Sequence, residues 1–122
     1  MKKRLMVVDD SRVMEYHFRR LLADSDFEIA AYCENGEEAI ASYEEVRPDV
    51  ITMDIIMPGI DGLETAKIIM EAHPEARIVM VSSLADDSSM DEAEAVGAKT
   101  FLYKPIDREH LISALEQALG QK

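Results

Sequence analysis

With 122 residues, 48% hydrophobic and 31% charged, the chain has room for one soluble globular domain with one sizeable core. Its net charge of −12 argues against direct nucleic-acid binding, which needs a basic footprint. The excess acid either serves solubility or gathers carboxylates around a cation.

No run approaches the ~18 apolar residues of a membrane helix, so no membrane insertion is expected. The start lacks the charged, apolar and cleavage regions of a secretory signal. A single cysteine, Cys33, rules out an internal disulfide and a Cys-rich metal cage, and makes the cytosol the expected compartment.

In chain order, Met1 to Lys3 read as a tail, and Leu5 to Val8 form a continuous apolar run that ends on Asp9-Asp10. The following stretch, Ser11 to Ser25, predicts a helix, because Met14, Phe18, Leu21 and Leu22 fall on one face. Ser11 or Asp10 is placed to cap its start. Phe27 to Tyr32 reads as a second strand, and Asn35-Gly36 punctuates. Ala39, Ile40, Tyr43 and Val46 then mark the stripe of a second helix, which Pro48 stops.

Val50 to Met53 is the third strand, and it runs straight into Asp54 and a turn-forming segment with Pro58, Gly59, Asp61 and Gly62. A third helix, Leu63 to His73, turns Leu63, Ala66, Ile69 and Met70 inward. Ile78 to Ser82 is the fourth strand, and an acidic helix over roughly Ser88 to Val96 stops at Gly97. Thr100 to Tyr103 is the fifth strand. The last helix, Arg108 to Leu119, aligns Leu111, Leu115, Ala118 and Leu119, and Gly120 to Lys122 read as a tail.

Strict alternation of strand and helix favours βαβ units, and apolar strands without a polar face fit a parallel sheet covered on both sides. With right-handed crossovers the expected architecture is α/β: a doubly wound (βα)5 flavodoxin-like three-layer sandwich with strand order 2-1-3-4-5. One domain over residues 1–122 is expected.

Ligands in such sheets sit beyond the carboxyl ends of the strands, near the switch in strand order. The strands deliver Asp9 and Asp10, then Asp54, then Ser82 and Ser83, then Lys104 and Pro105, with Glu34 and Asn35 at the edge. Strands one and three would be neighbours, so their acids would lie about one strand spacing apart, ~5 Å. Three carboxylates that close repel unless one is protonated or a cation neutralises them. Hard oxygen ligands suit Mg²⁺.

Taken singly, each piece has a plainer reading. Asp9-Asp10 would cap a helix, Asp54 would sit in a turn, Ser82 would be a turn hydroxyl and Lys104 a solvated lysine. Their convergence on one sheet edge favours a site. His17, His73 and His110 share no spacing and read as surface or packing residues. Met53, Met57, Met70, Met80 and Met90 read as gap fillers, and Cys33 as an ordinary thiol.

The segments VVDDS, ENGEEA, PDVITMDIIMPGIDG, VMVSS and GAKTFLYKP, in this order and spacing, resemble the receiver domain of two-component response regulators, most of all the single-domain chemotaxis (CheY-like) type. The resemblance covers almost the whole chain. It implies a signalling module that catalyses only its own phosphorylation and dephosphorylation. Asp54 would be the phosphoacceptor. Asp9 and Asp10 would hold Mg²⁺, or Mn²⁺ in its place, Asp10 directly and Asp9 through water, with Asp54 and the backbone carbonyl of Ile56. Lys104 would pair with a phosphoryl oxygen, Ser82 would move its hydroxyl to the phosphoryl group, and Phe101 would change rotamer. Pro105 would hold the Lys–Pro turn, for which a cis bond is one form.

The implied partners are a sensor histidine kinase and a downstream protein or an output domain, the receiver being a monomer or a phosphorylation-dependent dimer. The stretch from Asp86 to Lys99, strand five and the last helix would be read by that partner, and its acidity suggests a positively charged partner surface. Ser82 stands where Thr is commoner, Phe101 where the chemotaxis type carries Tyr, and Ile56 and Leu84 where many relatives are polar, which suggests slow self-dephosphorylation.

Three rival readings fit the residues less well. An FMN-binding fold would need a Gly/Ser/Thr-rich loop where DDSRV stands. A haloacid-dehalogenase-type phosphatase would need a second Asp where Ile56 stands. A degenerate receiver serving only as an interaction module would lack an acid or the lysine, and all are present.

Overall fold

Five parallel strands alternate with five helices in a computed structural model that describes residues 2–83 and 87–120, and for 87–90 the backbone alone. The elements are β1 (Lys3–Val8), α1 (Arg12–Leu21), β2 (Phe27–Cys33), α2 (Gly36–Val46), β3 (Val50–Asp54), α3 (Gly62–Ala72), β4 (Ile78–Ser82), α4 (Asp87–Ala95), β5 (Thr100–Tyr103) and α5 (Arg108–Ala118). The sheet order is β2-β1-β3-β4-β5, as expected from the alternation and the crossover rule.

Alternation along the strands divides the core into two layers. Met6, Val8, Ile51, Met53, Ile78 and Met80 meet Ala39 and Tyr43 of α2, Ala66 and Ile69 of α3 and Ala93 of α4. Leu5, Val7, Val50, Val79, Val81 and Leu102 meet Phe18 of α1 and Leu111, Leu115 and Ala118 of α5. Strands β3 and β4 are buried along their whole length, which is why most of their residues are apolar.

Several ends differ from the sequence reading. Lys3 belongs to β1 rather than to a tail, because its N–H donates to the Asp26 carbonyl (2.8 Å) and the Arg4 N–H donates to Asp49 Oδ2 (2.7 Å). Helix α1 ends at Leu21, four residues short of Ser25. Arg108 Nη1 takes up the Leu21 and Ala23 carbonyls, and Ser25 Oγ takes that of Leu22. Asn35, Asp61 and Asp107 cap α2, α3 and α5, each accepting from a backbone N–H three residues on, so these helices start where a side chain satisfies an orphan donor.

One irregularity bears on the site. Between β1 and β2 the pairing passes from Leu5↔Ile29 to Met6↔Ala31, so Ala30 is an extra residue in β2. Phe27 and Ile29 face the α1/α5 layer, whereas beyond the bulge Ala31 and Cys33 face the other layer and Tyr32 faces α1. A single inserted residue exchanges the two faces of everything after it.

Candidate functional site

Each acid reaches the sheet edge on the same face. Val7, Thr52 and Leu102 sit two residues before Asp9, Asp54 and Lys104, and the pleat carries that shared side outward to the strand ends. Asp54 closes β3 and is 7% exposed, and Asp9 is 3% exposed. The Lys104 ammonium sits between them, 3.2 Å from Asp9 Oδ2 and 3.5 Å from Asp54 Oδ2. Oxygens of Asp9, Asp10 and Asp54 all lie within 4.8 Å of one another.

Asp9 is held at every polar atom. Its Oδ1 accepts from the Ser11 N–H (2.8 Å), its Oδ2 faces Lys104, its N–H donates to the Cys33 carbonyl (3.0 Å), and its carbonyl accepts from the Tyr32 hydroxyl (2.6 Å). The expected side-chain cap on α1 is absent: Ser11 occupies the cap position without a side-chain bond, and the Met14 N–H donates to its backbone carbonyl (3.0 Å). Asp10, by contrast, is exposed.

The electrostatics are unbalanced. Burial, with the charge of Asp9 beside it, pushes the Asp54 carboxyl up to about 6, and the opposing pull of Lys104 does not cancel this. Burial also works against the Lys104 charge, yet Asp54 and Asp9 outweigh it and hold the ammonium above the ordinary lysine range. Lys104 thus pairs with two of three clustered carboxylates, and a hard divalent ion such as Mg²⁺ fits this all-oxygen donor set.

Below Asp54 on the same face, the buried Thr52 hydroxyl finds no hydrogen-bond partner among the described residues. Ile56 is 62% exposed, between the buried Ile55 and Met57, which anchor the loop. The Lys104–Pro105 peptide is cis, and the Lys104 N–H donates to the Ser82 carbonyl (2.8 Å).

Ser82 and Phe101 lie on the opposite face. Met80, Phe101 and Ala93 belong to the α2/α3/α4 layer, and the pleat places Ser82 and Tyr103 on that side with them. Phe101 is half-buried, its ring centroid 5.2 Å from that of Tyr103. It borders a cleft of about 260 Å³ formed with Ala93, Glu94, Ala98, Lys99 and Thr100. Leu84 and Asp86 lie outside the described residues, as does the Met90 side chain.

The remaining singled-out residues stand apart from the site. His17 Nε2 meets the Ile106 carbonyl, His73 stacks on Tyr43, and His110 bonds its own helix cap, Asp107. Met53, Met57 and Met80 are core, and Met70 packs against it. Cys33 is buried, which pushes its thiol up.

Two residues at the site escape a reading of motifs. A Cβ on Gly62 would collide with the Asp54 backbone carbonyl, and the Gly62 N–H donates to the Ile55 carbonyl (2.7 Å), so only glycine lets α3 begin against the end of β3. The Asp-Gly pair signals a turn but not this contact. Tyr32 reads as a strand aromatic, and nothing in the alternation of FEIAAY marks the bulge that turns it toward Asp9.

Residues 5–116 match the protein family described as the response regulator receiver domain. The chain is 41% identical over 115 residues to the chemotaxis protein CheY of Listeria monocytogenes, covering 94% of this chain and 97% of the relative. Among solved structures it matches a chain of the CheX–CheY–BeF3–Mg²⁺ complex from Borrelia burgdorferi with a TM-score of 0.89 and 31% identity, over 93% of this chain and 87% of that one. It matches the response regulator domain of Thermotoga maritima CheB with a TM-score of 0.90 and 32% identity, over 100% and 99%.

Proposed function

The chain belongs to the response regulator receiver family, and on that premise we propose that it takes a phosphoryl group from a histidine kinase onto Asp54 and presents its α4–β5–α5 surface, altered, to a partner or output domain. The observation that carries this is the Lys104 ammonium lying between Asp9 and Asp54 with three carboxylates within 4.8 Å. A degenerate receiver would have lost one of these groups. Asp9, Asp10, Asp54 and the backbone carbonyl of Ile56 are the groups that would hold Mg²⁺, or Mn²⁺ in its place.

The residues divide the chemistry as follows. An Asp54 oxygen attacks phosphorus, the bond from phosphorus to the donor nitrogen breaks, and the donor imidazole leaves with that electron pair. Lys104 follows the charge from the Asp54 carboxylate onto a phosphoryl oxygen. Mg²⁺ held by these groups would supply neutralisation of the charge on the phosphoryl oxygens. Asp9, fixed by Ser11, Cys33 and Tyr32, holds its carboxylate still throughout.

The acyl phosphate places about −1.5 to −2 charge where Asp54 carried a single negative charge, by analogy with other phosphorylated side chains. The Ser82 hydroxyl then donates to it, and Phe101, on the same face as Ser82, turns into the space released. The readout runs from that face to α4, β5 and α5. The CheX of the Borrelia complex is a precedent for a protein partner of a related chain.

Beryllofluoride, which mimics the phosphoryl group, tests the switch. With Mg²⁺ it should perturb ¹⁵N–¹H resonances from Asp54 through Ser82 and Phe101 to α4 and α5, and leave an Asp54→Ala variant unchanged. Perturbations confined to the loop around Asp54 would contradict the switch.

A further inference from the structure

The bulge in β2 has no role in the sheet itself. It adds Ala30, weakens the ladder beside β1, and exchanges the faces of the three residues that follow. Without it, Tyr32 would sit opposite Val8 and point into the α2/α3 layer. With it, Tyr32 pairs with Val7 and packs on the α1 side, where Met14 also lies. The outcome is the 2.6 Å bond from the Tyr32 hydroxyl to the Asp9 carbonyl.

That carbonyl belongs to the peptide joining Asp9 to Asp10. The peptide before Asp9 is tied to the same strand, because the Asp9 N–H donates to the Cys33 carbonyl at 3.0 Å. Two consecutive residues of β2 therefore hold both peptides that flank Asp9. Rotation of the Asp9–Asp10 peptide would swing the exposed Asp10 carboxylate away from Asp54, and the Tyr32 bond opposes that rotation.

The ring is braced from outside. The Arg12 guanidinium lies 5.2 Å above the Tyr32 ring centroid and pairs with Glu34 Oε1 at 2.6 Å. Arg12 also faces Glu15 at 3.7 Å. The brace joins the first turn of α1 to the end of β2, the two segments on either side of the acid pair.

We propose that Tyr32 is a positioning residue for divalent-cation binding: re-aimed by the Ala30 bulge and braced by Arg12, its hydroxyl fixes the Asp9–Asp10 peptide and so the Asp10 carboxylate. This rests on the reading of Asp9, Asp10 and Asp54 as the cation site. Groups that orient metal ligands from behind change metal affinity by about 10- to 100-fold when removed. Tyr32 acts through a backbone carbonyl, so the lower end of that range applies.

The test is binding of Mg²⁺ alone, without a phosphodonor, followed by ¹⁵N–¹H resonances in wild type, Tyr32→Phe and Phe27→Leu. Tyr32→Phe keeps the ring and its Arg12 contact and removes only the hydroxyl. Phe27→Leu loosens the same strand without touching Asp9. The expected result is about tenfold weaker Mg²⁺ binding for Tyr32→Phe and an affinity within twofold of wild type for Phe27→Leu, although both melt at lower temperature. The wild-type Tyr32 ¹³Cζ resonance should shift as Mg²⁺ is added. Tyr32→Phe binding Mg²⁺ as wild type does, or Phe27→Leu losing as much as Tyr32→Phe, would overturn the proposal. Failure of wild type itself to bind Mg²⁺ would overturn the cation site and this inference together.

Discussion

Lys104 sits between Asp9 and Asp54, and its charge offsets the burial of Asp54 only in part. The Asp54 carboxyl, raised to about 6 by burial and by Asp9, is the group that bears the difference. Its ionised form is penalised in the fold, so its contribution to stability is fully present below about pH 4, near the value for an exposed carboxyl, and is lost as pH rises through about 6. Asp54→Asn should therefore stabilise the metal-free protein at pH 7.5 by about 1–2 kcal/mol, with the gap closing as pH falls below 6, as read by urea unfolding across pH. Stabilisation of wild type by Mg²⁺ should fade over the same interval, since the proton and the cation compete for one carboxylate. The layer beneath makes a second test. Thr52 buries a hydroxyl without a partner among the described residues, so Thr52→Val, of similar shape, should raise stability by about 1 kcal/mol.

At the scale of elements, the strands were the most legible part. Runs such as Ile78 to Ser82 and Val50 to Met53 are mostly apolar and buried on both faces, so their composition marks them as strands. Helix caps were less legible: Asn35 reads only as punctuation in the sequence yet caps α2, and the side-chain cap expected at α1 is absent. There the Asp9 carboxylate accepts from the Ser11 N–H. The β2 bulge and the Gly62 contact were hidden for one reason: both depend on which backbone lies alongside, and a single strand or turn carries no record of its neighbour. Gly62 gives the element-scale prediction. A methyl group there would meet the Asp54 carbonyl, so Gly62→Ala should destabilise by about 1–3 kcal/mol, the usual range for overpacking, and displace the loop from Ile55 to Asp61. A denaturation midpoint equal to that of wild type would contradict the close contact.

Over the whole molecule, the sheet sorts the singled-out side chains by face. Asp9, Asp54 and Lys104 follow strand residues of the α1/α5 layer, and Ser82 and Phe101 lie toward α4. On the proposed function, a change of charge at Asp54 would reach Ser82 across the strand ends, and the readout would draw on both layers, α4 on one and α5 on the other. The exposed Ile56 offers a test of how long such a change would last on the proposed function. An apolar side chain there offers an attacking water no hydrogen bond, so Ile56→Asn should shorten the lifetime of the acyl phosphate severalfold, followed as decay of the phosphorylated mass; an unchanged lifetime would assign the rate to other residues.

The central claim is that Asp54 accepts a phosphoryl group with the help of a divalent cation. Intact-mass measurement after incubation with acetyl phosphate tests it directly, with and without Mg²⁺, on wild type and Asp54→Asn. The account predicts a gain of one phosphoryl group in wild type with Mg²⁺, little without it, and none in the variant. A gain that survives Asp54→Asn, or one indifferent to Mg²⁺, would contradict it.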